Sequence, residues 1–249
     1  LIIEKASRPL GKVLISGGGR CNLTHACYEP ARLVEFYPRG GAELRSAFTR
    51  FQPRDTIAWF ERHGVPLKTE ADGRIFPASD SAQSVVDCLL QAAQQAGVEL
   101  WTQHTVTAVE MSQSVFMLHV RPMGQADTLP VTARSLLLAT GGDYTSLQLA
   151  ASLGHTVVPP VPSLFTFTIS DPRLAELAGV SVSQGGLSLL DEAGTPPHLP
   201  GARQNGALLI THTGLSGPVV LRLSAWGARW LNERGYRADL AINWVSPRG

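Results

Sequence analysis

The residues with the strongest chemical character form one short loop, in which three glycines are followed directly by polar side chains. The loop reads Ser16-Gly-Gly-Gly-Arg-Cys-Asn22, and Thr24 lies two residues beyond it. Glycine lets the backbone approach a ligand closely and take positive φ angles without a clash from Cβ. The polar groups that follow supply hydrogen-bond donors and acceptors. The pattern predicts a ligand-binding loop, with an ordinary tight turn as the alternative.

Two common phosphate-binding signatures do not fit this loop. A P-loop ends in Gly-Lys-Ser or Gly-Lys-Thr, and the segment has no such ending. A dinucleotide fingerprint of the form G-x-G-x-x-G, counted from Gly17, would need a glycine where the chain has Asn22. The loop is therefore predicted to be a contact segment of another kind.

The start of the chain offers a second piece of a nucleotide site. Residues 1–3 are apolar and predict a strand that ends at Glu4. In a dinucleotide-binding unit, a carboxylate at the end of the second strand accepts hydrogen bonds from ribose hydroxyls. The glycine fingerprint that accompanies such a carboxylate would lie before residue 1. We therefore expect a fragment that lacks its first βα unit and is truncated at both ends.

Composition and charge define the expected class of protein. The 249 residues carry a net charge of +1 without a block of like charges, which predicts neither nucleic acid nor an anionic membrane as a partner. Three cysteines form an odd and sparse set, which indicates reduced thiols and a cytoplasmic location. No apolar run reaches the roughly 20 residues of a membrane span. No metal site is expected, because Cys21, His25 and Cys27 lack a fourth ligand.

The elements that position these residues are predicted from hydrophobic periodicity and from glycine and proline. Residues 13–15 and 135–142 are interpreted as buried strands that lead into glycines. A proline-rich stretch at residues 157–162 predicts a domain boundary. Helices are expected at 52–64, 79–97 and 147–153 and from 217 onward, and further strands at 98–101, 105–109, 115–120, 128–132, 164–169, 180–190 and 208–211.

Several of these segments together resemble the BaiN-like family of NAD(P)/FAD-dependent oxidoreductases, the aminoacetone-oxidase-like flavoproteins. The segments follow the family's order and cover nearly the whole chain. They include Ser16–Asn22 and Thr211–Pro218, in which Gly17–Asn22 and Gly214–Pro218 are each quite specific. Residues 160–167 and 221–227 look most similar to a cyanobacterial and plant branch. The other matching segments are Glu4-Lys5, Gly11-Lys12, Gly73–Pro77, Leu138–Gly142, Leu153–His155 and Pro162–Phe165.

The resemblance implies an α/β fold. A Rossmann-like FAD-binding domain, incomplete because its first βα unit is missing, would span residues 1–158, and an inserted β-rich substrate or cap domain would span 159–249. Glu4 would bind the adenosine ribose with Lys5 and Lys12 near it, and Val106 would lie beside the adenine. The residues implied to run along FAD are Ser16, Gly17, Gly18, Gly19, Arg20, Cys21, Asn22, Thr24, Ala139, Thr140, Gly141 and Gly142.

The activity that the resemblance implies is reduction of the flavin by NAD(P)H, followed by its reoxidation by a small organic acceptor. Arg74 and His212 are candidates on the substrate side, and no catalytic acid or base is assigned. One alternative is a truncated, non-catalytic relative of such flavoproteins. Another is a serine hydrolase that uses Ser216 with His212, and it is disfavoured because the G-x-S-x-G elbow is absent.

Overall fold

A computed structural model describes residues 1–245, and the chain divides into two compact units. Unit 1 spans Leu1–Val158, and unit 2 begins at Pro159. In the described residues, unit 1 mixes helices with three small sheets, whereas unit 2 is built on one five-stranded sheet. These observations confirm the predicted α/β class with a β-rich second part.

Unit 1 contains six helices and eight strands within the described residues. The helices are α1 (Gly11–Ile15), α2 (Pro30–Leu33), α3 (Gly41–Phe48), α4 (Pro53–Arg62), α5 (Ala82–Gln95) and α6 (Tyr144–Ser152). The strands are β1 (Ile2–Ile3), β2 (Thr24–His25), β3 (Leu67–Thr69), β4 (Arg74–Pro77), β5 (Leu100–Trp101), β6 (His104–Ser112), β7 (Val115–Pro122) and β8 (Leu129–Ala133).

Among the three small sheets described in unit 1, one has parallel strands and two have antiparallel strands. Strands β1 and β5 pair in parallel, with Ile2 opposite Leu100. Strands β2, β4 and β3 form an antiparallel sheet with β4 in the middle. Strands β6, β7 and β8 form an antiparallel meander, which confirms the small antiparallel insertion predicted from the sequence.

Helix α5 forms as predicted and provides much of the core beside the glycine loop. The hydroxyl of Ser81 caps its first turn by accepting a hydrogen bond from the amide of Gln83 (3.3 Å). Its inward face includes Val85 and Cys88, which are buried together with Phe60. Full burial of such side chains is worth about 1.5–3 kcal/mol each. Because α1 also packs on α5, this core supports the chain leading into the loop.

Two predicted strands are not strands in the structure. Residues 13–15 lie in helix α1, because one face of this short segment packs on the α5 core through Val13 while Ile15 is exposed. A three-residue apolar run fits either element equally well. Residues 135–142 alternate in strand fashion, with Leu137 85% exposed between two partly buried leucines. No strand is assigned there, because the described residues provide no hydrogen-bonded partner.

The helices and strands of unit 2 within the described residues are β9 (Phe167–Thr168), β10 (Ser181–Leu190), β11 (Arg203–Thr211), β12 (Gly214–Ser216), α7 (Pro218–Trp226), α8 (Ala228–Glu233) and β13 (Asp239–Asn243). The strands lie in the order β13-β10-β11-β12-β9, and the consecutive helices α7 and α8 pack on them. Strand β10 pairs with β11 and β13, as expected for the predicted strands at 180–190 and 208–211.

The core of unit 2 lies between its sheet and helix α7. Leu187 and Leu189 of β10 face Val220 and Leu223 of α7, and all four are at most 1% exposed. The buried hydroxyl of Ser224 accepts a hydrogen bond from the amide of Phe165 (3.0 Å). In the part of the chain that the structure describes, no helix has the length and apolar character needed to cross a membrane.

Candidate functional site

The glycine loop is a left-handed turn that follows α1. Gly17, Gly18 and Gly19 have φ angles of 57°, 70° and 83°, a region that L-residues with a Cβ rarely adopt. A Cβ on Gly17 would lie 2.8 Å from the amide nitrogen of Asn22 and 3.1 Å from Cε1 of Phe76. A Cβ on Gly18 would meet nothing within 4 Å. The loop therefore packs on the protein at Gly17 and presents open backbone at Gly18.

Arg20 is held chiefly by Glu70 and Phe76 at the end of the loop. Its Nη1 donates to Oε1 of Glu70 at 2.6 Å. Its guanidinium carbon also lies 4.0 Å from the ring centroid of Phe76, which is fully buried in β4. This stacking is a cation–π contact and fixes the plane of the guanidinium. The structure thus shows Arg20 joining the loop to the β3–β4 hairpin.

Arg74 belongs to the same cluster of charges. Its guanidinium donates to Oε2 of Glu70 (3.0 Å) and to Oδ2 of Asp72 (2.7 Å), so Glu70 bridges the two arginines. Asp80 completes the cluster by pairing with Lys68 and, at 3.5 Å, with Arg20. The side chain of Arg74 is 45% exposed. A charged group from a ligand can therefore reach Arg74 only in competition with two carboxylates.

The cluster lowers the pKa of Asp80. The main cause is the hydrogen bond from Lys68, and the charges of Lys68 and Arg20 add to it. Hydrogen bonding to Glu70 raises the pKa of Arg20. The pKa of Asp72 is also lowered, first by its hydrogen bond to the backbone of Arg74. The side chains of Asp80 and Asp72 are 45% and 56% exposed, so solvent screens their pairing.

Asp80 gives a testable acid sensitivity. Because its pKa is lower in the folded state than the ordinary value of 3.8, its contribution to stability is present above about pH 4 and is lost as the pH falls further. We expect Asp80→Asn to narrow the difference in Tm between pH 6 and pH 3 relative to the parent protein. Thermal unfolding followed by circular dichroism measures the two Tm values. Asp127→Asn is the control, because Asp127 is also exposed. An unchanged difference in Tm would contradict the assignment.

The residues after Arg20 anchor the loop to β4. Cys21 is buried in the α5 core and has a φ of 60°. The amide group of Asn22 donates to the carbonyls of Thr24 (2.9 Å) and Ile75 (3.1 Å). Thr24 begins β2 and pairs with Ile75 of β4. Asn22 and Thr24 thus fix the course of the chain beside the glycines.

The second glycine segment lies next to the ammonium group of Lys12. Ala139, Thr140, Gly141 and Gly142 are all exposed, and Gly141 has a φ of 74°. A Cβ on Gly141 would lie 3.3 Å from Nζ of Lys12. Lys12 belongs to α1, directly before the glycine loop. Unit 1 therefore places an ammonium group beside the exposed second glycine segment, on the helix that leads into the first, and an ammonium group next to exposed backbone suits an anionic ligand.

Glu4 directly follows β1, and Val106 lies in β6. The amide of Glu4 donates to the carbonyl of Trp101 (2.8 Å), and the carbonyl of Glu4 accepts from the amide of His104 (3.0 Å). Oε1 of Glu4 accepts from the amide of Ala6 at 2.7 Å, whereas the next residue, Lys5, is exposed. Val106 is partly buried in the core under β6. These two hydrogen bonds place the backbone of Glu4 beside the end of β5 and the start of β6.

His212 and Ser216 lie in unit 2 and do not form a catalytic pair. His212 is exposed in the turn between β11 and β12, and Ser216 pairs with Leu209 at the end of β12. A helix does follow Ser216 through Gly217, as in a nucleophile elbow. However, within residues 1–245 the hydroxyl of Ser216 has no imidazole partner. A serine nucleophile needs such a base, so the hydrolase alternative has no support.

Comparison with known proteins identifies relatives of the whole chain. The family described as "HI0933-like protein Rossmann domain" matches residues 1–215. The chain is 32% identical over 237 residues (91% of this chain) to the Escherichia coli protein named "Ribosomal RNA dihydrouridine synthase", and 28% identical over 242 residues (93%) to a Haemophilus influenzae protein of the same name. It is also 28% identical over 240 residues (93%) to the Clostridium scindens "3-dehydro-bile acid delta(4,6)-reductase". The chain spans only 54–56% of the length of these curated relatives.

These relatives overturn the prediction that nucleic acid is not a partner, because two of them are named for ribosomal RNA. That prediction used the whole-chain charge of +1. Charge is unevenly distributed, since residues 1–54 have nine Lys and Arg against four Asp and Glu, whereas residues 55–245 have eleven against sixteen. RNA responds to the local surface charge. The whole-chain sum hides this asymmetry.

Proposed function

Because this chain belongs to the family of HI0933-like protein Rossmann domains, we propose that it binds FAD and takes part in a flavin-dependent reduction. The observation that carries the proposal is the contact of Lys12, which belongs to the helix that leads into the glycine loop, with Gly141 of the second exposed glycine segment. The backbone of Gly18 and Gly142 is open, since a Cβ on either would meet no atom within 4 Å. A dinucleotide requires such open backbone together with a positive charge.

In this proposal, unit 1 supplies the binding groups for the dinucleotide. Lys12 offsets the charge of the pyrophosphate, and Gly18 and Gly141 allow the backbone to approach it. Glu4 accepts hydrogen bonds from the adenosine ribose. Bound FAD supplies the chemistry of hydride transfer, with NAD(P)H as the reductant. The protein contributes orientation and electrostatics, and Arg20 contributes by holding the glycine loop against β4.

We propose uridine in ribosomal RNA as the group that is reduced. The names of the three relatives have reduction of a carbon–carbon double bond near a carbonyl group in common. Two of the three names, including that of the most similar of them at 32% identity, refer to ribosomal RNA. The excess of Lys and Arg in residues 1–54 fits a phosphate-rich substrate. Substrate identity is not carried by the fold, so it needs a direct test.

The test uses purified protein incubated with FAD, then with NADPH or NADH, and finally with ribosomal RNA isolated from cells that lack the protein. We expect a bound flavin, its bleaching by the coenzyme without oxygen, and its reoxidation by the RNA. Digestion of the RNA should give a nucleoside heavier than uridine by two hydrogen atoms, detected by mass spectrometry. The matched variant is Lys12→Gln, which should bind FAD about tenfold more weakly, because a charge-assisted contact of about 1.5 kcal/mol is lost.

Three outcomes would contradict parts of this proposal. Protein that takes up no flavin on reconstitution would overturn the cofactor assignment. Flavin that the coenzyme reduces but that only small conjugated ketones reoxidise would overturn the RNA assignment. Unchanged FAD affinity in Lys12→Gln would remove Lys12 from the site. Arg237→Gln is the control, because Arg237 is exposed and belongs to unit 2, whereas the proposed site lies in unit 1.

A further inference from the structure

We propose that residues 28–54, here called the arginine–aromatic segment, form the surface that holds the RNA. The inference deepens the proposed function and rests on it, because RNA as the substrate class comes from there. The segment contains α2, a turn of 3-10 helix at Val34–Phe36, and α3. It lies directly after the glycine loop and β2 in the chain.

The arginine–aromatic segment carries an excess of positive charge. All five cationic side chains of the segment are arginines, and all five are exposed: Arg32, Arg39, Arg45, Arg50 and Arg54. Three glutamates oppose them, so the segment has a local excess of two positive charges, whereas the remainder of the described chain has more acidic than basic residues. Among the described residues, Arg32, Arg45 and Arg50 have no carboxylate partner. Their guanidinium groups are therefore available to phosphates, which they can bind in a bidentate manner.

The segment also exposes three aromatic rings to solvent. Phe36, Phe51 and Tyr37 are 66%, 56% and 39% exposed. A solvated aromatic ring offers its face for stacking with an unpaired base, and such stacking tolerates any base sequence. Arginines interleaved with exposed rings are the combination expected of a surface that tracks single-stranded or looped RNA.

The segment is also a defined structure. The rings of Tyr37 and Phe48 lie 5.6 Å apart, which fastens the 3-10 turn to α3. The guanidinium carbon of Arg54 lies 4.9 Å from the ring centroid of Tyr28, which closes the two ends of the segment on each other. The position of the arginines is therefore set by packing.

The segment adjoins the candidate cofactor site. The ring of Phe36 lies 5.7 Å from that of His25, and His25 is the last residue of β2, three residues after Asn22. RNA held on the segment would thus have one end of its binding surface next to the glycine loop. This proximity is required if a base is to be reduced there.

Binding of a fluorescein-labelled 20-nucleotide single-stranded RNA of mixed sequence, measured by anisotropy over a range of salt concentrations, tests the inference without any flavin chemistry. The test variant is Arg32→Gln/Arg45→Gln/Arg50→Gln. The control is Arg121→Gln/Arg134→Gln/Arg237→Gln, in which three other exposed arginines are replaced. The two variants have equal net charge, so a difference between them reports the place of binding.

We expect the test variant to bind at least about tenfold more weakly than the parent and the control to stay within about threefold. The slope of log K against log salt should become shallower by about two in the test variant, because each lost phosphate contact removes about 0.7 on a single strand. Phe51→Ala should weaken binding about tenfold with the slope unchanged, because stacking involves no counterions. Circular dichroism verifies that each variant is folded. If Phe51→Ala does not fold, Phe51→Leu takes its place.

Equal losses in the test and control variants, or unchanged binding in both, would overturn the proposal. If RNA is still reduced by the test variant at the rate of the parent, only this inference fails and the proposed function stands. If the parent binds no RNA, both fail. Unchanged RNA binding in Phe51→Ala, together with loss of a dimer in light scattering, would assign the exposed rings to self-association and overturn the RNA surface.

Discussion

Gly17→Ala should abolish flavin uptake and destabilise unit 1 by about 3–4 kcal/mol, whereas Gly18→Ala should cost only about 1–2 kcal/mol. Both positions have positive φ (57° and 70°), so both substitutions incur the penalty of a left-handed backbone. They differ in the space around the added Cβ. At Gly17 the new atom would lie 2.8 Å from a backbone nitrogen, whereas at Gly18 it would meet nothing within 4 Å.

Gly17→Ala has the larger effect because the clash lies with backbone that is held in place. The neighbour of Gly17 is the backbone of Asn22, whose side chain donates hydrogen bonds to the carbonyls of Ile75 in β4 and Thr24 in β2. Relief of the clash therefore displaces either the loop or β2. Urea unfolding followed by circular dichroism measures the stability, and flavin fluorescence measures FAD uptake. Equal stability of the two variants would contradict the close packing at Gly17.

Phe76→Ala is expected to lower the free energy of unfolding of unit 1 by about 3–5 kcal/mol. Phe76 is fully buried in β4, and its ring supports Gly17 on one side. The guanidinium carbons of Arg20 and Arg74 lie 4.0 and 5.3 Å from its centroid. Removal of the ring leaves a cavity and also frees the side chain that fixes the end of the loop.

Two comparisons make the Phe76 prediction specific. Phe51→Ala removes the same side chain at a position that is 56% exposed and should cost no more than about 0.5 kcal/mol. Phe76→Leu keeps most of the volume and should recover stability but not the cation–π contacts, so its FAD affinity should stay below that of the parent. Phe76→Leu with the stability and FAD affinity of the parent would show that the stacking of Arg20 has no role in holding the loop.

Local patterns predicted the long elements well. Helix α5 begins after the Ser81 cap and ends before Gly97, because its apolar residues repeat with helical spacing. The meander of β6, β7 and β8 follows from three alternating segments separated by turns. The short run at residues 13–15 was predicted wrongly, because three apolar residues fit a strand and a helix equally well. Its helical state depends on packing against α5.

Charge shows the same limit of sequence reasoning. The whole-chain value of +1 is correct as arithmetic, yet it concealed an excess of positive charge over residues 1–54. A count by segment would have revealed the excess. Glu70, Asp80 and Phe76 also received no functional role from the sequence, because no motif connects them with Arg20. They lie 50 to 60 residues from it and meet it only through the β3–β4 hairpin.

The sequence by itself determined the family, because the spacing of glycines, Arg20 and Asn22 reflects a local backbone conformation that neighbouring residues encode. It also predicted helices α4, α5, α6 and α7, whereas helices α1, α2 and α3 were not predicted. The tertiary structure alone decided which residues meet. It placed Lys12 beside Gly141 and packed Gly17 on Phe76. Such contacts depend on how distant segments fold onto a common core, and a short-range pattern contains no information about that distance.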